Sequence, residues 1–165
     1  MVSSYTPTLF ALIRARKNFV AIPRQDLQAV LYADSGGRQG CSYLANVEEE
    51  VRQATHVLMS GSVTVYSSVN EKFEVNAFSA RMNRSHILHL TSHGQQDEDA
   101  LKSCFALNPP LTISALMTLD LPNAMLAYLS ACETAKGDAK QPDQAVHLAA
   151  SMLFCGFRSV VATMW

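Results

Sequence analysis

Residues 124–132 read AMLAYLSAC, an apolar run that passes into small residues and a cysteine. The first six residues predict a buried strand, and the last three carry the thiol of Cys132 to the carboxyl end of that strand. Residues 86–94, HILHLTSHG, have the same form: a short apolar run that ends in His93 and Gly94. Two strands that each end in a reactive side chain suggest a nucleophile and its base held side by side.

The rest of the chain alternates between strand and helix patterns. Apolar runs predict strands at 27–33, 63–66, 86–90, 124–129 and 159–164, with a further short strand at 104–107. Helical spacing of apolar residues predicts helices at 7–17, 46–60, 71–82, 112–119 and 142–155. Asn46 and Glu49 have the spacing of a capping box at the start of the second helix.

These predicted elements indicate an α/β fold with a mostly parallel sheet and helices on both faces. The strands are apolar runs more than strict alternations, which is typical of parallel strands buried on both sides. Right-handed crossovers place the carboxyl ends of all parallel strands along one edge, and ligands bind at that edge in such sheets. We therefore expect His93 and Cys132 to meet there.

Composition predicts one domain over 1–165 and argues against several kinds of partner. The chain has 165 residues, 48% of them hydrophobic, and a formal net charge of -1, which gives no reason to expect nucleic acid or an anionic membrane as partner. No apolar run approaches the roughly 20 residues of a membrane span, and the first residues lack the layout of a signal peptide. Four cysteines without CxxC spacing favour reduced thiols in a cytoplasmic protein.

The chemistry expected of the pair is nucleophilic attack by Cys132 with help from His93. A free thiol has a pKa of about 8.5, so a histidine that accepts its proton is needed near neutral pH. The backbone N–H groups of Gly94 and Cys132 are candidate donors to the oxyanion that such an attack produces. The alternative is that Cys132 is an ordinary buried thiol and His93 a loop histidine. The residues alone support the two interpretations about equally.

Other reactive residues give weaker signals. His89 and His93 are four apart, but on a strand and loop that spacing does not place them together, and no third zinc ligand is evident. No metal and no cofactor is therefore expected, and the absence of a phosphate-binding loop makes a flavodoxin-like nucleotide domain a remote alternative. We expect the remaining cysteines and histidines to be structural, with Cys155 facing the core at a helix end: Cys41, Cys104, Cys155, His56, His86 and His147.

Several motifs together resemble the CHAT domain, a caspase-like domain commonly found with tetratricopeptide repeats and related to separases and caspases. They are HLTSHG at 89–94, LSACETA at 129–135, HLAA at 147–150 and GFRSVVATMW at 156–165, and SYTPTL at 4–9 also fits. The resemblance covers nearly the whole chain. It implies a caspase-like three-layer α/β sandwich, with Cys132 as nucleophile, His93 as base, and the Gly94 and Cys132 amides as oxyanion donors.

The resemblance further implies a cysteine endopeptidase that hydrolyses peptide bonds in regulated signalling, cell death or defence. Its substrate would be a protein or peptide, and a tetratricopeptide-repeat region or partner is expected. Ser130 and Glu133 are candidates for lining the first substrate pocket.

The chain departs from the family pattern at three points, and the third, its length, motivates a second hypothesis together with the absence of repeats. Thr91-Ser92 stands where Ala-Cys is frequent, and Gln144 stands where an acidic residue is common. Family domains also continue past the position of Trp165, so the resemblance implies a partial domain whose edge, residues 159–165, would be apolar and unprotected. The alternative to a peptidase is therefore a truncated, catalytically inert interaction module.

Overall fold

The computed structural model describes Ile13 and residues 21–36, 41–95, 97–131 and 144–162. The predicted helix at 7–17, apart from Ile13, lies outside this part. The helices are α1 (Val47–Ser60), α2 (Val75–Met82), α3 (Ile113–Met117) and α4 (Gln144–Phe154). The strands are β1 (Gln28–Ala33), β2 (Thr64–Val69), β3 (Ile87–Thr91), β4 (Gly94–Gln95), β5 (Cys104–Phe105), β6 (Leu111–Thr112), β7 (Leu126–Ser130) and β8 (Ser159–Ala162).

Five of these strands form a parallel sheet in the order β2-β1-β3-β7-β8. The crossovers contain α1 between β1 and β2, α2 between β2 and β3, and α4 between β7 and β8. Because every strand runs the same way, the chain leaves β1, β3 and β7 at one shared edge. The predicted α/β fold with a mostly parallel sheet is confirmed.

Helices cover both faces of the sheet, and each face has its own apolar core. The larger core lies under α2, α3 and α4 and includes Phe78, Leu90 and Leu129, each at most 1% exposed. The smaller core lies under α1, where Leu31 and Val51 are buried. The alternation of side chains along each strand sends one set of residues to each core.

Three local predictions were wrong. β2 continues to Val69 because it pairs with β1 along its full length, although its serines break the apolar pattern that sequence reading depends on. α2 begins at Val75, since the residues before it are extended and bury Phe73. The capping box is not formed: Asn46 makes no side-chain cap, and the Glu49 carboxylate binds Arg52 and Gln53.

A second, small sheet follows β3. Residues 95–110 were predicted as a surface loop with one short strand, yet β4, β5 and β6 form a three-stranded antiparallel sheet there. Cys104 and Phe105, the centre of this sheet, are buried. The small sheet holds the segment that leaves β3, and it therefore positions His93 and Gly94.

Candidate functional site at the carboxyl edge of the sheet

His93 lies two residues beyond the end of β3 and is buried, with 7% of its surface exposed. Its Nε2 atom lies 2.7 Å from the backbone oxygen of Ser42. A carbonyl oxygen only accepts hydrogen bonds, so Nε2 carries the proton in this contact. In the neutral ring, Nδ1 then keeps its lone pair and is the nitrogen able to take a proton.

The Ser42 carbonyl is held in place by contacts with the segment that leaves β1. Leu44 donates its N–H to Ser35 O at 2.7 Å, and Gly36 forms an antiparallel bridge with Tyr43. Ser35 is itself fixed, because its N–H and its hydroxyl both donate to Asn70 Oδ1, at 2.8 and 2.9 Å. Two short segments at the carboxyl edge of the sheet therefore fix one backbone acceptor opposite His93.

Gly36 is required for this arrangement. Its φ angle is +77°, a conformation that side-chain-bearing residues rarely adopt. A Cβ atom placed there would lie 2.7 Å from Ser42 O and 3.0 Å from His93 Cδ2. The absence of a side chain at Gly36 lets the imidazole and its carbonyl acceptor come together.

Gly94 is buried in β4 opposite Phe105. Ala106 donates its N–H to His93 O at 2.8 Å, which makes Gly94 and Phe105 a non-hydrogen-bonded pair of the antiparallel ladder. The N–H of Gly94 is therefore directed away from β5. This orientation leaves the donor outside the ladder, where the predicted oxyanion role would need it.

Cys132 and Glu133 lie outside the described residues, so their predicted roles stay predictions. The strand that leads to Cys132 is described up to Ala131, which is buried. Ser92 donates its N–H to Ser130 O at 3.2 Å, so the ends of β3 and β7 lie side by side. The residue before His93 is thus bonded to the residue two before Cys132.

A polar cluster joins helix α1 to these strand ends. Glu50 Oε1 lies 2.8 Å from His89 Nε2 and 3.3 Å from Thr91 Oγ1, while Glu50 Oε2 accepts from Ser130 Oγ at 3.1 Å. Thr91 Oγ1 also lies 3.1 Å from His89 Nε2. The imidazole of His89 therefore has partners different from those of His93, and Ser130, predicted to line a substrate pocket, directs its hydroxyl to Glu50.

Sequence reasoning missed Glu50, Ser42 and Gly36 as parts of this site. Glu50 did carry a signal, since it lies three residues after Val47 and four before Ala54, on the apolar stripe of α1. A carboxylate on the inward side of a helix indicates a buried polar partner. Ser42 contributes only a backbone atom, which no side-chain pattern reveals.

The other described cysteines contact groups away from His93. Cys155 is buried, as predicted, and donates its S–H to Leu116 O at 3.0 Å. Cys104 is buried beside Gln95, and burial raises the pKa of its thiol. Cys41 is half-buried and accepts from Gln95 Nε2 at 3.3 Å. Cys41 and Cys104 thus share Gln95 as a partner among the described residues.

Two further properties hold for the described residues. No three His, Cys, Asp or Glu side chains among them are grouped so that they could hold a metal ion. No helix in that part of the chain is long and apolar enough to cross a membrane.

Comparison with protein families matches residues 3–165 to the family described as the CHAT domain. No curated protein matches the chain. The family match spans both strand-end motifs, and it includes every residue of the site described above.

Proposed function

The chain belongs to the CHAT domain family, and on this premise we propose that it is a caspase-like cysteine endopeptidase domain acting through Cys132 and His93. The observation that carries the proposal is the state of His93. Its Nε2–H is fixed on the Ser42 carbonyl, so Nδ1 is the basic nitrogen. Among the described residues, none is hydrogen-bonded to Nδ1. In this proposal Nδ1 therefore accepts the proton of the Cys132 thiol.

The reaction follows from these groups. His93 Nδ1 takes the proton of the Cys132 thiol, and the thiolate attacks the carbonyl carbon of the scissile peptide bond. The oxyanion of the tetrahedral intermediate accepts from the N–H groups of Gly94 and Cys132. His93 then gives its proton to the leaving amine, which produces a thioester. Water, deprotonated by His93, hydrolyses the thioester and restores the thiol.

The substrate in this proposal is a protein or peptide, and the chain works with a tetratricopeptide-repeat region or partner. The family is associated with tetratricopeptide-repeat proteins, which supports a protein partner. Participation in regulated signalling, cell death or defence in the cytoplasm belongs to the same proposal. Ser130 and Glu133 are retained as candidates for lining the first substrate pocket.

The test is covalent labelling of the full chain with peptidyl acyloxymethyl ketones. A panel that varies the residue next to the ketone is needed, because the cleavage preference is unknown. We expect at least one member to modify Cys132, identified by peptide mapping, at a rate that His93→Ala lowers on the order of 10²-fold or more. Cys132→Ala should abolish labelling, and Cys41→Ala is the matched control, because Cys41 is a half-buried thiol whose partner among the described residues is Gln95.

The outcome also separates the two functions considered from the sequence. Labelling that survives Cys132→Ala contradicts the assigned nucleophile. A folded wild-type chain that no member of the panel labels, and that cleaves no peptide in a mixed library, contradicts the peptidase and favours the inert interaction module.

A further inference from the structure

The Glu50 carboxylate is the centre of a polar cluster that the proposed reaction does not use. It comes from α1, crosses to the sheet, and contacts His89, Thr91 and Ser130, which belong to two neighbouring strands. The His89 side chain is 9% exposed and that of Glu50 33%. The core on this face is apolar and includes Leu31 and Val51.

Stability alone is a poor explanation for this cluster. Taking a carboxylate and an imidazole out of water costs free energy that their mutual attraction offsets only in part. Apolar residues of similar volume at such sites are often as stabilising or more so. The smaller core already uses apolar residues to attach α1 to β1 and β2. A different contribution is therefore needed to account for polar groups at the ends of β3 and β7.

The partners of Glu50 point to that contribution. Thr91 and Ser130 are the last residues of their strands, and His93 and Cys132 each follow two residues later. A single carboxylate thus binds both strand ends, with Oε1 on β3 and Oε2 on β7. The Glu50 carboxylate thereby fixes the spacing between the ends of β3 and β7, in addition to the backbone hydrogen bond from Ser92 to Ser130.

The same residue also fixes the third part of the site. Helix α1 begins at Val47, soon after Ser42, whose carbonyl accepts from His93. A shift of α1 relative to β3 would move the 41–44 segment relative to the imidazole. By binding α1 to the strand ends, Glu50 constrains the carbonyl, the base and the nucleophile-bearing strand at once.

We propose that Glu50 is a positioning residue, which sets the relative placement of His93 and Cys132 through Thr91, Ser130 and helix α1. This inference rests on the proposed function, because it assigns Glu50 to the geometry of that reaction. Among the described residues, the side-chain partners of Glu50 are His89, Thr91 and Ser130, and His93 is not one of them. The effect of Glu50 is expected on the rate of bond formation and not on the binding of a peptide.

Two substitutions of Glu50 separate geometry from charge. Glu50→Ala removes every contact that the carboxylate makes in the cluster, while Glu50→Gln keeps an oxygen that accepts from Ser130 and an amide that donates to His89. Inactivation of the full chain by the most reactive ketone of the panel gives kinact and KI separately. We expect Glu50→Ala to lower kinact on the order of 10²-fold with KI unchanged, since misplacement of about 1 Å has that effect. Glu50→Gln should restore most of the loss.

Glu49→Ala is the matched control on the same helix. Glu49 binds Arg52 in an exposed contact on the other side of α1, so its loss should leave kinact unchanged. A purely structural role for Glu50 predicts a lower Tm with normal kinact in the folded molecules. That result, or a Glu50→Gln variant as slow as Glu50→Ala, overturns the inference.

Ser130→Ala keeps the test decisive if Glu50→Ala does not fold. It removes only the bond from β7 to the carboxylate and leaves the contacts with His89 and Thr91 in place. We expect a smaller fall in kinact than in Glu50→Ala, whereas wild-type kinact in Ser130→Ala contradicts the inference. Failure of the peptidase proposal looks different, because the wild-type chain itself then fails to label at Cys132.

Discussion

Replacing Gly36 by alanine is the sharpest single perturbation of the candidate site. The backbone at Gly36 has φ +77°, and the left-handed conformation costs a residue with a side chain about 1–2 kcal/mol. For a domain of this size that cost corresponds to a fall in Tm of about 2–8 °C. The protein should therefore remain folded at room temperature, which makes its chemistry measurable.

The position of the new methyl group gives the effect on function. It would lie 2.7 Å from Ser42 O, a backbone atom, and 3.0 Å from His93 Cδ2. Ordinary contact requires that one of these groups move by several tenths of an ångström. Either movement disturbs the 2.7 Å bond between His93 Nε2 and Ser42 O that fixes the ring. We expect kinact for Cys132 to fall about ten- to a hundredfold, in line with the cost of small misplacements.

Gly156→Ala is a matched control, because it introduces the same kind of strain away from His93. Gly156 has φ +119°, and its added Cβ would lie 2.6 Å from Leu121 O. We expect a comparable or larger fall in Tm and an unchanged kinact in the folded fraction. Thermal unfolding and inactivation kinetics on the three proteins check this directly. Wild-type kinact in Gly36→Ala, or an equal loss in Gly156→Ala, refutes the role assigned to the Gly36 contact.

Three further predictions concern stability and thiol reactivity. Phe78→Ala should lower the free energy of unfolding by about 3–5 kcal/mol in urea, because Phe78 is fully buried, whereas the exposed Val57→Ala should change it by less than about 0.5 kcal/mol; equal effects contradict the described core. Burial lowers the pKa of His86, so the folded state binds a proton at His86 less readily than the unfolded state does. The free energy of unfolding should therefore keep its full value above about pH 6.5 and fall at lower pH, and it should fall less steeply in His86→Gln. Identical dependence of the free energy of unfolding on pH in the two proteins refutes this. Burial raises the pKa of the Cys104 thiol, so iodoacetamide at pH 8 should modify Cys104 more slowly than the half-buried Cys41, as peptide mapping would show.

Most of the large sheet could be predicted because its strands are apolar runs. β1, β3 and β7 lie within two residues of the predicted positions, since both faces of these strands bury side chains and the pattern is strong. β2 was cut short because it lies at the edge of the sheet, where Ser67 and Ser68 are compatible with the ladder and break the pattern. In the small sheet, β5 lies within the short strand predicted at 104–107, whereas β4 and β6 were missed because two residues are too few to show a period.

The candidate site, like the sheet, could be predicted only in part. His93 and Gly94 were predicted at the carboxyl edge because their chain position follows directly from the end of β3. The contact between His93 and Ser42 could not be predicted, since it joins a side chain to a backbone oxygen 51 positions away through a turn that Gly36 permits. For the contacts between Glu50 and the strand ends, the only signal in the sequence was a charged residue on the apolar stripe of α1.

The distribution of buried polar groups supports a specialised carboxyl edge. Six of the ten buried polar side chains among the described residues lie at the ends of β1 and β3, namely Asp34, Ser35, His89, Thr91, Ser92 and His93. A module that acts only by binding partners needs its distinctive groups on the surface, whereas these side chains are buried. Buried polar networks contribute little net stability, yet they rigidify the groups they connect. Rigidity at the strand end that carries His93 fits a reaction that depends on the position of the His93 imidazole. It is therefore the rate of bond formation at Cys132 that should respond first when any part of the network is removed.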